Sequence, residues 1–175
     1  MSIEKYFLAS AMARVGYYKK LADDSFLQLQ AADYYYQPTA ESNSIAIIIR
    51  HMAGNMLSRW TDFLHSDGEK EGRNRDAEFE TNDWTVAELL AYWEKGWDCF
   101  LKALAAMEPA DLLQTIYIRT EPLLLIDAVN RQLAHYPYHV GQIVYLARLI
   151  RGNDWKNLSI PKGHSQQFNE KTKSP

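Results

Sequence analysis

The fold can be inferred from the segment Arg131-Gln132-Leu133-Ala134-His135-Tyr136-Pro137-Tyr138-His139-Val140-Gly141-Gln142. Its apolar residues belong to a long stripe with helical spacing. Four residues on an α-helix turn through about 400°, so His135 and His139 project from nearly the same face. Two imidazoles on one face can bind the same ion. The segment therefore predicts a helix that carries part of a metal site.

Pro137 interrupts this predicted helix. A proline removes one backbone hydrogen bond, and its ring clashes with the carbonyl of Leu133, at a cost of about 3 kcal/mol or more. The apolar stripe nevertheless keeps its phase on both sides of Pro137. We therefore expect one kinked helix from near Pro122, a residue suited to a first turn, to the stop at Gly152.

A third histidine, His51, follows the strongly apolar run at residues 45–49. We expect it to lie near the core, where an imidazole needs a polar partner. Together, His51, His135 and His139 supply three nitrogen ligands, which leave part of a coordination sphere open to water or substrate. The HxxxH pattern alone is more often core or surface than ligand. The two remaining histidines fall outside this pattern: His65 and His164.

Two polar residues follow the candidate ligands on the same predicted helices, Asn55 after His51 and Gln142 after His139. Such residues can fix the tautomers of metal-binding imidazoles. The alternative is that both are ordinary polar residues at the edge of an apolar stripe. Cys99, the only cysteine, is expected to be a core or boundary thiol, and only a contact with the site would make it a further ligand.

The apolar residues recur at intervals of three and four in four segments, as expected for amphipathic helices. The first runs over residues 3–32, and the second runs from the cap candidates Ser42 and Ser44 to about Leu64. The third opens with the capping box of Thr85 and Glu88 and ends before residue 109. With the fourth helix, these segments predict an all-α four-helix bundle over residues 1–157 and a polar tail over 158–175.

Two connections differ from the helical segments. Residues 66–83 are charged and contain Gly68 and Gly72, so we expect a long solvated loop, and long loops in compact domains are often functional. Residues 114–120 alternate β-branched side chains, which predicts an extended segment or a short strand.

The composition predicts one globular domain, since 175 residues with 47% hydrophobic and 23% charged residues can bury a sizeable core. The net charge of -3 and the lack of a basic run with aromatic residues predict no nucleic-acid surface. Charged residues interrupt every apolar stretch near the start, and no run suits a membrane span. We therefore expect a cytoplasmic protein without a membrane partner.

With these residues in view, the chain resembles the DinB-like superfamily of metal-binding four-helix bundles. The resemblance rests on His51, on His135 and His139, and on the similarity of residues 139–142 to the H-x-G-Q ending of the family's motif. Residues 50–56 and 73–76 look like one uncharacterised branch of that superfamily. The similarity covers nearly the whole chain, from the first helix to about Asn157.

The resemblance implies an up-down-down-up order of the helices and a divalent ion such as zinc or nickel on the three histidines. It also implies a homodimer that acts on a small-molecule substrate. Proteins of this superfamily include thiol-dependent transferases, which use bacillithiol, mycothiol or glutathione, and others described as metal-dependent hydrolases. We therefore expect a thiol-dependent S-transferase acting on small electrophiles. The alternatives are a metal-dependent hydrolase and a non-catalytic protein that binds a metal or a small molecule.

The remaining polar residues bear on this choice. A transferase needs cations for a charged thiol, whereas Arg73 and Arg75 alternate with acidic residues and are expected to be solvated. A hydrolase needs a general base, and Asp127 lies two turns before His135, too far along the helix. The residues thus favour thiol chemistry. The candidate cations are five arginines: Arg50, Arg59, Arg73, Arg75 and Arg131.

Overall fold

Four long helices dominate the computed structural model, which describes residues 2–80 and 83–173. The helices are α1 (Ile3–Phe26), α2 (Ile45–Trp60), α3 (Val86–Ala106) and α4 (Leu125–Arg151). A short helix, α5 (Ser165–Lys173), lies in the polar C-terminal segment. Strands β1 (Thr115–Ile118) and β2 (Glu121–Leu124) form an antiparallel hairpin before α4. The protein is therefore mostly helical, with a small sheet that an all-α class does not include.

The four long helices pack around one core. α2 packs on α3 and α1 packs on α4, while smaller contacts join α2 to α4 and α1 to α3. A methyl group at Gly96 of α3 would overlap the backbone of Ala53 in α2, so this glycine permits the close approach of the two helices. The rings of Trp97 and Phe100 in α3 contact Tyr136 of α4, with centroids 5.8 and 5.1 Å apart. These contacts orient α4 so that its histidines face α2.

The starts of α2 and α3 were predicted correctly from their caps. The Ser44 hydroxyl accepts a hydrogen bond from the Ile47 amide at 3.2 Å. Thr85 and Glu88 form the predicted capping box, in which the Thr85 amide donates to the Glu88 carboxylate at 2.7 Å. Such bonds satisfy amides that have no partner within the helix.

The prediction for the end of α1 was wrong, because the helix stops at Phe26 and not at Ala32. The Asp33 carboxylate accepts a hydrogen bond from the Gln30 amide at 2.8 Å. This bond caps a separate 3-10 turn over Ala31–Tyr35. A local side-chain bond thus competes with continuation of the helix, although the apolar spacing extends to Leu29.

The end of α2 also differs from the prediction, since the helix stops at Trp60, four residues before Leu64. Thr61 is extended, and Asp62 has a φ of 48°. A left-handed residue cannot continue a right-handed helix, and Asp is one of the residues that adopt this conformation most readily.

The strand predicted within residues 114–120 is confirmed, but the start predicted for α4 was wrong. Pro122 lies in β2 opposite Tyr117, and α4 begins at Leu125. Arg119 and Thr120 both have a positive φ, as a two-residue hairpin turn with the right twist requires. The Asp67 carboxylate accepts from both of their amides, at 2.8 and 2.7 Å. A distant loop therefore holds the turn that makes Pro122 part of a strand.

α4 continues through Pro137 to Arg151 as one helix, as its apolar stripe predicted. His135 and His139 therefore share one face of a continuous helix. Among the described residues, no helix combines the length and the apolar character that crossing a membrane would demand.

Candidate metal centre

The three predicted histidines lie together where α2 faces α4. His135 Nε2 is 3.3 Å from His51 Nε2 and 3.1 Å from His139 Nε2. His51 and His139 are buried, whereas His135 is half-buried. Of the described residues, these three form the group of His, Cys, Asp or Glu side chains that could hold a metal ion. We name them the histidine cluster.

The opposite nitrogen of each ring faces an oxygen atom. His51 Nδ1 lies 3.0 Å from Glu78 Oε2, and His139 Nδ1 lies 2.8 Å from Gln142 Oε1. His135 Nδ1 lies 3.3 Å from Gln132 Oε1. Because an oxygen acceptor requires a donor, these contacts place the proton of each neutral ring on Nδ1. All three Nε2 lone pairs then point toward one another.

Three lone pairs at this separation repel unless a cation lies between them. Zinc binds imidazole nitrogen at about 2.0–2.1 Å, and two tetrahedral ligands at that distance are about 3.3 Å apart. The Nε2 separations of 3.1 and 3.3 Å fit this value. The donor atoms thus suit a divalent ion, and three histidines leave at least one ligand position for another molecule.

Burial keeps two of these imidazoles neutral. Burial is the largest cause that lowers the pKa of His135 to about 3, and the neighbouring His139, His51, Arg131 and Arg59 lower it further. Burial also lowers the pKa of His139 to about 4, although its bond to Gln142 opposes the shift. A neutral imidazole has the free lone pair that a metal requires, so His135 and His139 could act as ligands near neutral pH.

Glu78 is the main residue that the sequence did not reveal. It lies in the loop over residues 66–83, within a 3-10 turn (Asp76–Phe79) that packs on α2. The carboxylate contacts His51 and also accepts from Arg73 Nε and Nη2, at 2.7 and 2.8 Å. Burial opposes its ionisation, but the bonds and charges of His51 and Arg73 lower the pKa of Glu78 overall. Glu78 is therefore a buried carboxylate that orients His51.

Gly54 of α2 makes room for this carboxylate. A methyl group at Gly54 would overlap Glu78 Oε1. Phe79, the next residue of the turn, packs on the His51 ring with centroids 4.7 Å apart. The Asn74 side chain stabilises the turn by accepting from the Ala77 amide at 3.1 Å. The turn thus brings an acidic side chain to His51. In the sequence, only the residues that make these local contacts indicate the turn.

The two polar residues expected beside the ligands occupy different places. Gln142 contacts His139 directly. Asn55 does not bond an imidazole but accepts a hydrogen bond from the Tyr136 hydroxyl at 3.1 Å. Burial raises the pKa of Tyr136, so this hydroxyl keeps its proton and can donate. Gln132, which the sequence did not single out, contacts His135.

Cys99 lies outside the cluster. Its sulfur is 3.6 Å from Thr61 Oγ1 and 3.9 Å from the Met56 carbonyl oxygen. His65 and His164 are exposed, and neither belongs to the cluster. The thiol therefore does not supply a fourth side-chain ligand. A closed structural site would require one.

The expectation that Arg73 is solvated was wrong. Only 6% of its side chain is exposed, because it forms the buried ion pair with Glu78. Arg59 is also buried, and its Nη2 is 3.4 Å from Glu69 Oε2. Arg50 donates to the carbonyls of Ala77 and Glu80 and lies over the Trp84 ring. Arg75 is exposed, as expected for a solvated residue.

The fold and the cluster define a class of protein: a mostly helical protein in which histidines of two helices could hold an ion. Residues 2–164 match the family described as "Protein of unknown function (DUF1572)". The chain therefore belongs to this family, which is an uncharacterised family of the DinB-like superfamily. No curated protein matches the chain.

Proposed function

We propose that the protein binds a divalent ion, zinc or nickel, through His51, His135 and His139, and that it is a metal- and thiol-dependent S-transferase. The observation that carries the metal assignment is the orientation of the three rings. Each Nδ1 faces an oxygen, and the Nε2 atoms face one another at 3.1 and 3.3 Å. Without a cation or an added proton, the three Nε2 atoms face one another with no donor between them.

The state of Glu78 supports transfer over hydrolysis. A hydrolase needs an available base beside the attacking water. Both oxygens of Glu78 are bonded to Arg73 or His51, and Arg73 lowers the affinity of this carboxylate for a proton. A bound divalent ion would supply a Lewis acid that favours the thiolate form of a thiol, so a thiol needs no separate base.

In the proposed reaction, the protein's own residues hold the partners. Glu78, Gln132 and Gln142 keep the three imidazoles in the tautomer that binds a cation. The half-buried His135 lies on the accessible side of the cluster, where a small molecule can approach. A C–S bond would form at the electrophilic carbon while the leaving group departs, and the thiol proton would pass to solvent.

The first test is elemental analysis of untagged protein. About one ion per chain is expected for the wild type after reconstitution with zinc or nickel, and none for His51→Ala or His135→Ala. His65→Ala is the matched control, because His65 is an exposed histidine outside the cluster. Wild-type protein that retains no ion would contradict the metal assignment.

The second test measures the conjugation of monochlorobimane with glutathione and with bacillithiol. Metal-loaded wild type and His65→Ala should form the conjugate, whereas His135→Ala should not. Loaded wild type that conjugates neither thiol but hydrolyses esters would overturn the transferase assignment and favour the hydrolase alternative.

A further inference from the structure

A small cavity of about 140 Å³ adjoins the histidine cluster. His51 and His135 form part of its wall, so a molecule in the cavity lies next to the metal ligands. The rest of the wall is rich in cations. Five arginines line the cavity: Arg59, Arg73, Arg75, Arg119 and Arg131. We name these residues the arginine cluster.

The arginine cluster has more positive charge than its carboxylates balance. Glu69 lies 3.4 Å from Arg59, 3.6 Å from Arg73 and 3.1 Å from Arg119. Glu78 is the second carboxylate, and it is already engaged by Arg73 and His51. Among the described residues, two carboxylates thus form ion pairs within this set of five guanidinium groups, and Asp67 adds a third negative charge near Arg59. Within the described parts of the chain, neither Arg75 nor Arg131 has an ion pair.

Arg59 also has donors that lack an acceptor. The residue is 5% exposed, and its Nε and Nη1 atoms are buried without a hydrogen-bond partner among the described residues. Burial is the largest cause that lowers the pKa of Arg59 to about 10, and Arg131, Arg73 and Arg119 lower it further against the effect of Glu69. A buried charged donor without an acceptor is unfavourable, because it has lost its hydrogen bonds to water.

A small oxyanion would offset the excess positive charge of the cavity wall, since a carboxylate or phosphate accepts from several guanidinium groups at once. Pockets for drug-sized ligands have volumes of about 300–1,000 Å³, so a cavity of about 140 Å³ suits one small group. Arg119 reaches the cavity because Asp67 holds the hairpin turn. Loop, hairpin and helix thus each contribute a cation.

We propose that the arginine cluster is an oxyanion-binding site, which holds a carboxylate or phosphate group of the molecule that reacts at the histidine cluster. The reaction in this statement rests on the proposed function, whereas the binding of the anion does not. The site selects anionic small molecules and places their reactive part beside His51 and His135.

Calorimetric titration of metal-free protein in Tris buffer with inorganic phosphate tests the site. Wild type should bind phosphate, and Arg131→Gln should bind it about tenfold more weakly through the loss of one charged contact. Glu69→Gln should bind it more tightly, because it removes a competing carboxylate. Arg148→Gln is the matched control, since Arg148 is an exposed arginine of the same helix that does not line the cavity.

Arg131 is exposed, so its substitution should leave the fold intact, whereas Arg59 is buried. Wild type that does not bind phosphate, or equal affinity in Arg131→Gln and Arg148→Gln, would overturn the proposal. Since the protein is metal-free, this outcome is independent of ion binding and of conjugation. Displacement of phosphate by glutathione or bacillithiol would assign the anion to the thiol, and displacement by neither thiol would favour the electrophile.

Discussion

His51 and His135 belong to the histidine cluster and also line the cavity of the arginine cluster. The two clusters differ in which hydrogen-bonding groups they leave unpaired. In the histidine cluster, each ring donates to an oxygen, and three acceptor nitrogens are left facing one another. In the arginine cluster, Arg59 has donors without an acceptor. The first cluster offers acceptors that suit a cation, and the second offers charged donors that suit an anion. The contrast indicates which class of ligand each cluster could hold.

Arg73 and Glu78 connect the two clusters. Arg73 lines the cavity and binds Glu78, and Glu78 in turn binds His51. The Arg73–Glu78 ion pair therefore lies between the histidine cluster and the cavity that the arginine cluster lines.

Substitution of Arg73, which connects the two clusters, should have the largest effect on the free energy of unfolding. In Arg73→Met, Glu78 remains buried with His51 as its single partner, so the free energy of unfolding should fall by about 3–5 kcal/mol. Urea unfolding followed by circular dichroism measures it. Arg75→Met, which removes an exposed arginine of the same cavity, should change the value by less than about 0.5 kcal/mol. Equal losses in both variants would show that the Arg73 pair has no special role.

Neutralising Glu78 should weaken the binding of a metal ion by the histidine cluster. Glu78→Gln keeps the shape and an oxygen for His51 but removes the charge that strengthens the ligand, so metal affinity should fall about 10–100-fold. Competition with a chromogenic zinc chelator measures the affinity. Glu69→Gln is a change of the same kind in a carboxylate that pairs with the arginine cluster, and it should leave the metal affinity unaltered. A comparable loss of metal affinity in Glu69→Gln would mean that metal binding depends on the charges around both clusters.

The pH dependence of the metal-free protein should show the smallest effect. The pKa values of His135 and His139 are lowered from 6.5 to about 3 and about 4. As pH falls below 6.5, the unfolded chain takes up protons that the folded protein does not, so stability decreases until the folded rings also titrate. The loss should be on the order of 1 kcal/mol for each ring between about pH 7.5 and about pH 5.

Urea unfolding at the two pH values tests this prediction. A variant with both His135→Leu and His139→Leu should lose most of the pH dependence, whereas His65→Ala should retain it. Wild type that is equally stable at both values would mean that the rings are not held neutral by burial.

Much of the fold followed from the sequence, because amphipathic spacing and caps act within one helix. Ser44 and Thr85 identified two helix starts, and the stripe across Pro137 identified one continuous helix. Two of the errors arose where a side-chain hydrogen bond competed with the helical spacing of apolar residues. Asp33 ended the helical spacing of α1, and Asp67 fixed the turn that placed Pro122 in a strand.

The sequence by itself determined that His135 and His139 share a face, since a separation of four residues sets the angle between side chains on any helix. It also indicated that His51 is buried. Tertiary packing brings His51 to His135, 84 residues away in the sequence, and brings Glu78 to His51 from a loop. It likewise decided that Arg59 and Arg119 share a cavity. Periodicity fixes neighbours within a helix, whereas the packing of helices, loop and hairpin fixes the neighbours between them.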